Sequence, residues 1–446
     1  MQIHLIAIGG AVMHNLAIAL KTKGLIVTGS DDEIFEPSLS RLKKHGLLTE
    51  KFGWDAENIH HQLDAVILGM HTRADNPELL RAIELKLPVY SFPEYVYEQS
   101  KDKVRVAVCG SHGKTTITSM IMHVLKTQKR DFDYLVGAQL AGFETMVQIS
   151  DAPLMIIEGD EYFASPLDKR PKFLHYRAQI TLISGIAWDH FNVFPTFENY
   201  TDQFKILIES LSEQTLLILN AEDQNINSVL IKSEVKAEIK KYFTPDYYLE
   251  NNVFHLNFEN KIYIFEIFGK HNMQNMEAAR LVCNALNIGN ETFYTAMESF
   301  KGAAKRLEIL YKNEQGIVFR DFAHAPSKVK ATVDAVKEQY PERTLIACLE
   351  LHTFSSLNKT FITHYKNTMN KADVRIVYFN PHTVELKKLP ELIPDEVKHF
   401  FNDDSLYVIN NSKQLAELLK MLKNANTNFL LMSSGNFDNL EFTILV

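Results

Sequence analysis

Short apolar runs alternate with helical stretches along almost the whole chain, and this alternation predicts the fold class. The first run, residues 3–8, is followed by two glycines and then by a helical pattern over 13–23. Strands separated by helices in this way are typical of a doubly wound parallel sheet, in which ligands bind at the carboxyl ends of the strands. We therefore expect an α/β protein whose chemistry lies in the polar residues directly after each apolar run.

The pattern falls into three blocks, which we predict to be three domains over residues 1–99, 100–300 and 301–446. Each block contains several predicted strands, and no short repeat or low-complexity segment interrupts them. The predicted strands are 3–8, 25–29 and 65–69 in the first block, 104–108, 153–157, 180–183 and 215–219 in the second, and 317–319, 345–349, 374–378 and 429–432 in the third.

The most informative segment follows the apolar run 104–108. It reads Cys-Gly-Ser-His-Gly-Lys-Thr-Thr, and a helix is expected over 116–125. Backbone N–H groups of such a turn bind phosphate oxygens, its lysine reaches the β- and γ-phosphates, and the next hydroxyl holds Mg²⁺. Two residues rather than four separate the glycines, so an ordinary strand–turn–helix is the alternative. The predicted ATP-binding residues here are Gly110, Ser111, His112, Gly113, Lys114, Thr115 and Thr116.

Polar residues at two other strand ends are candidates for the same chemistry. Glu158 directly ends the run 153–157, where a carboxylate beside a phosphate loop holds Mg²⁺; a helix cap or a surface acid is the alternative. Asp321 and His324 follow the run 317–319, and Pro326 suits the first turn of the next helix. A lone histidine is more often structural, but its place beside Asp321 favours a site.

The first block contains a degenerate nucleotide loop. Gly9 and Gly10 follow the first run without the full dinucleotide fingerprint, so a structural turn and a nucleotide loop are equally compatible with it. Asp31, after the second run, could bond a ribose hydroxyl or cap a helix.

Composition narrows the choice of partners and compartment. The chain has 446 residues, 46% hydrophobic and 23% charged, and a net charge of −8 without a long basic run. This argues against nucleic acid as a main partner and gives no support for a membrane surface. The N-terminus lacks a basic region typical of a signal peptide. The three cysteines are far apart in apolar runs, which predicts buried free thiols and a cytoplasmic protein.

Six motifs follow one another along nearly the whole chain. They are Gly110-Ser-His-Gly-Lys-Thr-Thr116, Glu158-Gly-Asp-Glu161, Asp189-His190, Gly269-Lys-His-Asn-Met-Gln-Asn275, Arg306 and Asp321-Phe-Ala-His324. In kind and order these motifs resemble those of the Mur ligases. The resemblance implies an α/β chain of three domains: a Rossmann-like N-terminal domain that binds UDP-N-acetylmuramate, a central P-loop ATPase domain and a C-terminal Rossmann-like domain that binds peptide.

The same resemblance implies an ATP- and Mg²⁺-dependent ligase that forms an amide through an acyl phosphate. The stretch Asp168-Lys-Arg-x-Lys-Phe-x-His-Tyr176 resembles family members that join UDP-N-acetylmuramate to the recycled tripeptide L-Ala-γ-D-Glu-meso-diaminopimelate. Family members that add L-alanine are the alternative. An ATP-binding regulator that ligates nothing is an alternative of another class, and a nicotinamide-dependent dehydrogenase is a weaker one. A monomer or weak homo-oligomer, without nucleic acid or membrane partners, is expected.

The resemblance also implies roles for individual residues. The catalytic set is Lys114, Glu158, His190, Asp321 and His324, and the Mg²⁺ ligands are Thr115, Glu158 and His190. The remaining ATP contacts are His271, Asn272, Asn275, Arg306 and Asp321, although the residues at 271–275 could equally cap a helix. The UDP-N-acetylmuramate contacts are Gly9, Gly10, Ser30, Asp31, Thr72, Arg73 and Asn76, and the peptide contacts are Lys169, Arg170, His352 and Ser434.

Lys205, His352 and Lys114 each lead to a separate expectation. Lys205 lies fifteen residues after His190, where some relatives have a carbamylated lysine; a solvated helix lysine is the favoured interpretation. His352 lies in Glu-Leu-His-Thr, where relatives usually have proline and arginine, so the third residue of the peptide stays open. Replacing Lys114 by alanine should abolish turnover and leave the fold intact, because a loop lysine adds little to a core.

Overall fold

The computed structural model describes residues 1–49, 51–70, 72–140, 142–250, 252–303 and 306–445. The chain divides into two compact units. The first unit contains Met1–Ile186, Thr201–Tyr242 and Ala278–Ile288, and the second contains Ala187–Tyr200, Phe243–Glu277 and Gly289–Val446. The boundaries of the three predicted domains stay a prediction.

The first unit begins with a parallel sheet of strand order β2-β1-β3-β4. Its strands are β1 (Gln2–Ile6), β2 (Ile26–Ser30), β3 (Ala65–Leu68) and β4 (Val89–Ser91). The accompanying helices are α1 (Ala11–Thr22), α2 (Ser38–Lys44), α3 (Pro77–Glu84) and α4 (Phe92–Ser100). Strand β3 is buried along its whole length, as expected for a continuous apolar run in a parallel sheet.

A larger sheet of the first unit has the order β11-β10-β9-β5-β8-β6-β7, and its last pair is antiparallel. Its strands are β5 (Val104–Cys109), β6 (Asp133–Leu135), β7 (Val147–Gln148), β8 (Leu154–Glu158), β9 (Ile180–Ile183), β10 (Leu216–Asn220) and β11 (Glu238–Tyr242). The helices in this part of the chain are α5 (Lys114–Thr127), α6 (Lys172–His175), α7 (Phe197–Ser210) and α8 (Gln224–Ile231). Because β5 lies between β8 and β9, the loops after these three strands meet at one edge.

The second unit contains a small antiparallel sheet, β12-β13-β14, and a larger sheet of order β15-β16-β20-β17-β18-β19. The strands are β12 (Tyr247–Glu250), β13 (Val253–Phe258), β14 (Lys261–Phe265), β15 (Glu308–Lys312), β16 (Gly316–Asp321), β17 (Thr344–Leu351), β18 (Val374–Phe379), β19 (Tyr407–Ile409) and β20 (Thr427–Met432). The remaining helices are α9 (Lys270–Ala285), α10 (Asn290–Met297), α11 (Pro326–Gln339), α12 (Pro381–Leu386), α13 (Pro394–Phe401) and α14 (Ser412–Leu422). Short 3₁₀ turns occur at Ala56–Asn58, Ile362–Tyr365, Phe437–Asn439 and Phe442–Leu445.

The predicted α/β class with parallel sheets is confirmed, and the predicted strands recur close to their expected bounds. Pro326 starts α11, as its sequence position predicted. The three cysteines are buried and free. Within the described ranges, we find no helix that combines the length and the apolar character needed to cross a membrane.

Candidate functional site

The glycine-rich loop joins β5 directly to α5, as predicted. Gly110 has a φ of 124° and Gly113 a φ of 79°, both in the region that favours glycine. A side chain on Gly110 would also collide with Ser184 in the loop after β9. The N–H of Ser111 donates to the carbonyl of Gly185 in that same loop, at 2.9 Å. The loop is therefore braced by its neighbouring strand and presents its backbone at the N-terminus of α5.

Glu158 lies beside the loop, at the end of β8. Its Oε1 accepts the hydroxyl of Thr115 at 2.9 Å, and its Oε2 accepts the N–H of Gly137 at 2.9 Å. The carboxylate thus bonds to neutral donors and is neither a helix cap nor an isolated surface acid. The hydroxyl and the carboxylate are hard oxygen donors of the kind that Mg²⁺ prefers, so these two residues fit the predicted metal site.

Lys114 forms an ion pair that the sequence did not predict. Its Nζ is 2.7 Å from Glu161 Oε2 and 2.6 Å from the carbonyl oxygen of Gly110. The side chain of Glu161 has no exposed surface. Burial alone would lower the pKa of Lys114, but the carboxylates of Glu161 and Asp160 outweigh it and raise that pKa. Lys114 therefore keeps its positive charge beside the glycine-rich loop.

The N-terminal sheet places Gly9 and Asp31 together at its carboxyl edge. The N–H of Gly9 donates to Asp31 Oδ2 at 2.7 Å, and a side chain on Gly9 would meet that oxygen at 2.8 Å. Burial raises the pKa of Asp31 to about 6. Asp31 bridges two strand-end loops and does not begin a helix, since the next helix, α2, starts at Ser38. The interpretation of Asp31 as a helix cap is wrong.

The other residues predicted to bind UDP-N-acetylmuramate differ in their surroundings. Ser30 donates its hydroxyl to the buried carboxylate of Glu78. Asn76 caps α3 by accepting the N–H groups of Glu78 and Leu79. Thr72 is buried, Gly10 is exposed at the start of α1, and the exposed Arg73 pairs with Asp75 at 2.7 Å.

In the second unit, Asp321 ends β16 and organises the loops around it. Its oxygens accept the N–H groups of Leu307 and Ala323, each at 2.7 Å. Burial raises the pKa of Asp321, and the nearby Arg306 opposes this shift. The guanidinium of Arg306 lies over the ring of Phe322 at 4.7 Å. Asp321 therefore braces the loop from which Arg306 extends.

The Asp189-His190 pair lies near the loop that contains His324. Lys328 Nζ is 3.0 Å from Asp189 Oδ2, and the N–H of His190 donates to Asp189 Oδ1 at 2.8 Å. Burial would raise the pKa of Asp189, but Lys328 and the two histidines lower it below its usual range. Burial and the adjacent Lys328 lower the pKa of His324. His190 has a φ of 55°, a strained conformation of the kind found at functional sites.

The remaining predicted ATP contacts lie at the start of α9. His271 is partly buried, and Asn272 and Asn275 are buried. The side-chain amide of Asn272 donates to the carbonyl of Phe268 at 2.9 Å. In this structure the side chain therefore bonds to the backbone just before α9.

The predicted peptide contacts fall in both units. His352 and Ser434 belong to the second unit, where His352 Nδ1 is 3.8 Å from the buried Glu350. Lys169 and Arg170 are exposed residues of the first unit, and Arg170 pairs with Asp168 at 2.6 Å. Lys205 is 41% exposed on α7 and lies 3.4 Å from Glu209, one helical turn away, as a solvated helix lysine does.

The roles of Glu161 and Lys328 were not predicted from the sequence. Glu161 belongs to the quoted motif Glu158-Gly-Asp-Glu161, but nothing in the spacing shows which acid meets the lysine. Lys328 follows Pro326 by two residues, and its partner Asp189 is 139 residues away along the chain.

Comparisons with known proteins cover nearly the whole chain. Three family models match in sequence order: Mur ligase family, catalytic domain, over residues 2–103; Mur ligase middle domain over 108–283; and Mur ligase, glutamate ligase domain, over 305–435.

The relatives are named for two different acceptors, L-alanine and a tripeptide. The UDP-N-acetylmuramate–L-alanine ligase of Caldicellulosiruptor saccharolyticus is 32% identical, over 84% of this chain and 82% of its own. The UDP-N-acetylmuramate–L-alanyl-γ-D-glutamyl-meso-2,6-diaminoheptandioate ligase of Haemophilus influenzae is 26% identical, over 100% and 98%. The crystal structure of a murein peptide ligase from Psychrobacter arcticus superposes with a TM-score of 0.67 at 21% identity, over 100% and 98%. The L-alanine ligase name recurs among further relatives. The chain belongs to the Mur ligase family of ATP-dependent amide-bond ligases.

Proposed function

We propose that the protein uses ATP to join the carboxylate of UDP-N-acetylmuramate to the amine of L-Ala-γ-D-Glu-meso-diaminopimelate, in peptidoglycan recycling. The observation that carries this choice of acceptor is the segment 168–176, whose sequence resembles that of tripeptide-adding family members. The Haemophilus influenzae relative, whose name includes this tripeptide, aligns with the whole chain.

The phosphate loop supplies the first half of the reaction. The γ-phosphate passes from ATP to the muramate carboxylate and gives an acyl phosphate and ADP. Lys114 and the N-terminus of α5 supply positive charge to the phosphates, and the N–H groups of the loop after β5 orient them. These charges are fixed before the substrate arrives, which is how a positioning site lowers a barrier.

Mg²⁺ would bind to Thr115 and Glu158 in this proposal, with His190 as the further ligand implied by the family resemblance. When bound, the ion would neutralise charge that develops on the phosphates. Thr115 and Glu158 fit this role because their oxygens already lie 2.9 Å apart.

The amine of the acceptor then attacks the acyl carbon, and inorganic phosphate leaves as the amide forms. His352 and Ser434 are proposed to contact the acceptor peptide, together with Lys169 and Arg170. Gly9 and Asp31 are proposed to contact the UDP portion of the muramate substrate, since both lie at the carboxyl edge of the N-terminal sheet.

L-alanine ligation is the second candidate function. It is favoured by the relative at 32% identity, whose name specifies L-alanine as the acceptor.

Release of ADP with UDP-N-acetylmuramate and a set of acceptors tests the proposal. The set contains L-alanine, the dipeptide, and tripeptides that end in diaminopimelate or lysine. We expect the diaminopimelate tripeptide to give the fastest release. Free L-alanine as the best acceptor would instead establish the second candidate, and slow hydrolysis that no acceptor changes would contradict both ligase functions.

Thr115→Val is the matched control for this assay. Valine has nearly the same shape but lacks the hydroxyl that bonds to Glu158, so turnover should fall at least tenfold, about 1.4 kcal/mol in the barrier. Acceptor-dependent release that persists in this variant would contradict the proposed role of Thr115, whereas release that no acceptor changes would reveal a contaminating ATPase.

A further inference from the structure

A second group of potential metal ligands lies in the first unit, separate from the phosphate loop. It consists of Glu94 on α4, Asp168 in the loop before α6, and His175, the last residue of α6. Each offers one ligand atom, and these atoms all lie within 4.8 Å of one another. His175 Nε2 is 3.3 Å from Asp168 Oδ2, and His175 Nδ1 is 3.9 Å from Glu94 Oε1.

The imidazole of His175 lacks the hydrogen bond that its burial demands. Its side chain is only 5% exposed. Its Nε2 is shielded from solvent and makes no hydrogen bond to the residues that the structure describes, since Asp168 Oδ2 approaches to 3.3 Å without the geometry of a hydrogen bond. A buried polar nitrogen left in this way costs free energy, and a metal ion removes that cost by accepting its lone pair.

The two carboxylates are already gathered around positive charge. The guanidinium of Arg170 lies 2.6 Å from Asp168 Oδ2 and 3.9 Å from Glu94 Oε1. The side chain of Arg170 is 64% exposed, so it can turn into solvent without crossing packed side chains. A divalent cation would therefore replace a monovalent cation that the carboxylates already attract.

The cluster is accessible from outside. Glu94, Arg170 and His175 line a cavity of about 390 Å³ beside α4. Tyr90 and Arg177 also line this cavity, which has room for an ion and its remaining water ligands.

We propose that Glu94, Asp168 and His175 bind a divalent zinc-type metal ion, with Arg170 displaced into solvent. One imidazole nitrogen and two carboxylates form a donor set that suits Zn²⁺ and its substitute Co²⁺ better than Mg²⁺, which prefers oxygen ligands alone. Because Glu94 belongs to α4 and the other two ligands to the segment 168–175, the bound ion would fasten α4 to α6. The site shares the segment 168–176 and Arg170 with the acceptor contacts proposed above, but metal binding in the absence of substrates tests it separately from the ligase function.

Titration of the nucleotide-free protein with Co²⁺, followed by visible absorption and by competition with Zn²⁺, tests the proposal. We expect one tightly bound ion per chain. His175→Gln and Asp168→Asn should each weaken binding by at least roughly 100-fold. The first removes the imidazole donor and the second the negative charge of a ligand, and even the loss of an outer-shell partner of a metal ligand costs up to about 100-fold. Arg170→Ala should instead strengthen binding, since the metal would no longer compete with the guanidinium.

Two variants serve as matched controls. His190→Ala removes the histidine predicted at the ATP-dependent metal site, and His61→Ala removes an exposed histidine; both should keep the Co²⁺ affinity. Circular dichroism establishes that each variant is folded. Wild-type protein that gives no Co²⁺ absorption, Co²⁺ affinity that is unchanged in His175→Gln, or Arg170→Ala that binds no more tightly than wild type would each overturn the proposal.

Discussion

We expect the ion pair between Lys114 and Glu161 to affect both stability and turnover, and a double substitution separates the two effects. Lys114→Ala removes the cation that lies 2.7 Å from a carboxylate with no exposed surface. Loss of one partner of a buried pair typically costs 3–5 kcal/mol, and we expect about 3 kcal/mol because the side chain of Lys114 is itself 14% exposed. This revises the expectation from sequence alone that the substitution leaves the fold unaffected.

Urea unfolding of the nucleotide-free protein measures the effect. Lys114→Met combined with Glu161→Gln removes both charges and keeps similar volumes, so it should recover about 2 kcal/mol of the free energy of unfolding lost in Lys114→Ala. Release of ADP should stay below a tenth of the wild-type rate in both proteins, because neither has a cation at the phosphates. Lys126→Ala, an exposed lysine of the same helix, should change the free energy of unfolding by less than about 0.5 kcal/mol.

Unfolding of Lys114→Ala at the same urea concentration as wild type would contradict this expectation. A double variant no more stable than Lys114→Ala would also contradict it, since the lost stability would then not arise from an uncompensated carboxylate.

Three further predictions concern Gly110, Asp31 and Lys328. Gly110→Ala should reduce ADP release at least tenfold and lower the unfolding free energy by more than about 1 kcal/mol, because its φ of 124° disfavours a side chain. Burial raises the pKa of Asp31 to about 6, so folding favours its protonated form. The free energy of unfolding of wild type, relative to Asp31→Asn, should therefore decrease as the pH rises from 4 to 7. A difference in urea midpoints that stays constant over this range would contradict the prediction. Lys328→Met leaves the 11%-exposed Asp189 without its cation and should lower the unfolding free energy by about 3 kcal/mol. The control is Lys330→Met, because Lys330 is 57% exposed in its pair with Asp334; it should change the unfolding free energy by less than about 0.5 kcal/mol.

The parallel strands could be predicted because burial on both faces makes them continuously apolar. The run 180–183 is such a case, and β9 covers Ile180–Ile183. The antiparallel strands β12, β13 and β14 were missed because exposed and buried residues alternate along them. Ile262 and Ile264 of β14, for example, are 54% and 48% exposed. A strand is predicted from apolar residues on the assumption that these residues are buried, and exposed isoleucines do not meet that assumption.

The meeting of Thr115 with Glu158 could also be predicted, since parallel neighbours end at the same edge. Strand β5 pairs with β8, and Val108 is opposite Glu158 in their register. The ion pair of Lys328 with Asp189 could not be predicted in this way. Its two residues come from elements that are neither consecutive nor matched by a repeated pattern, so their contact depends on tertiary packing.

The acids of the motif 158–161 show why spacing alone could not assign their roles. Asp160 is 2.7 Å from Lys172, and Glu161 is 2.7 Å from Lys114, so lysine charge balances both carboxylates. Glu158 instead bonds to the neutral hydroxyl of Thr115 and the N–H of Gly137. A divalent cation gains most from a carboxylate whose charge is not already balanced, and it loses least when the hydrogen bonds it displaces are neutral. The side-chain partners, rather than the order of acids along the chain, therefore make Glu158 the expected Mg²⁺ ligand and Glu161 the residue that stabilises the lysine.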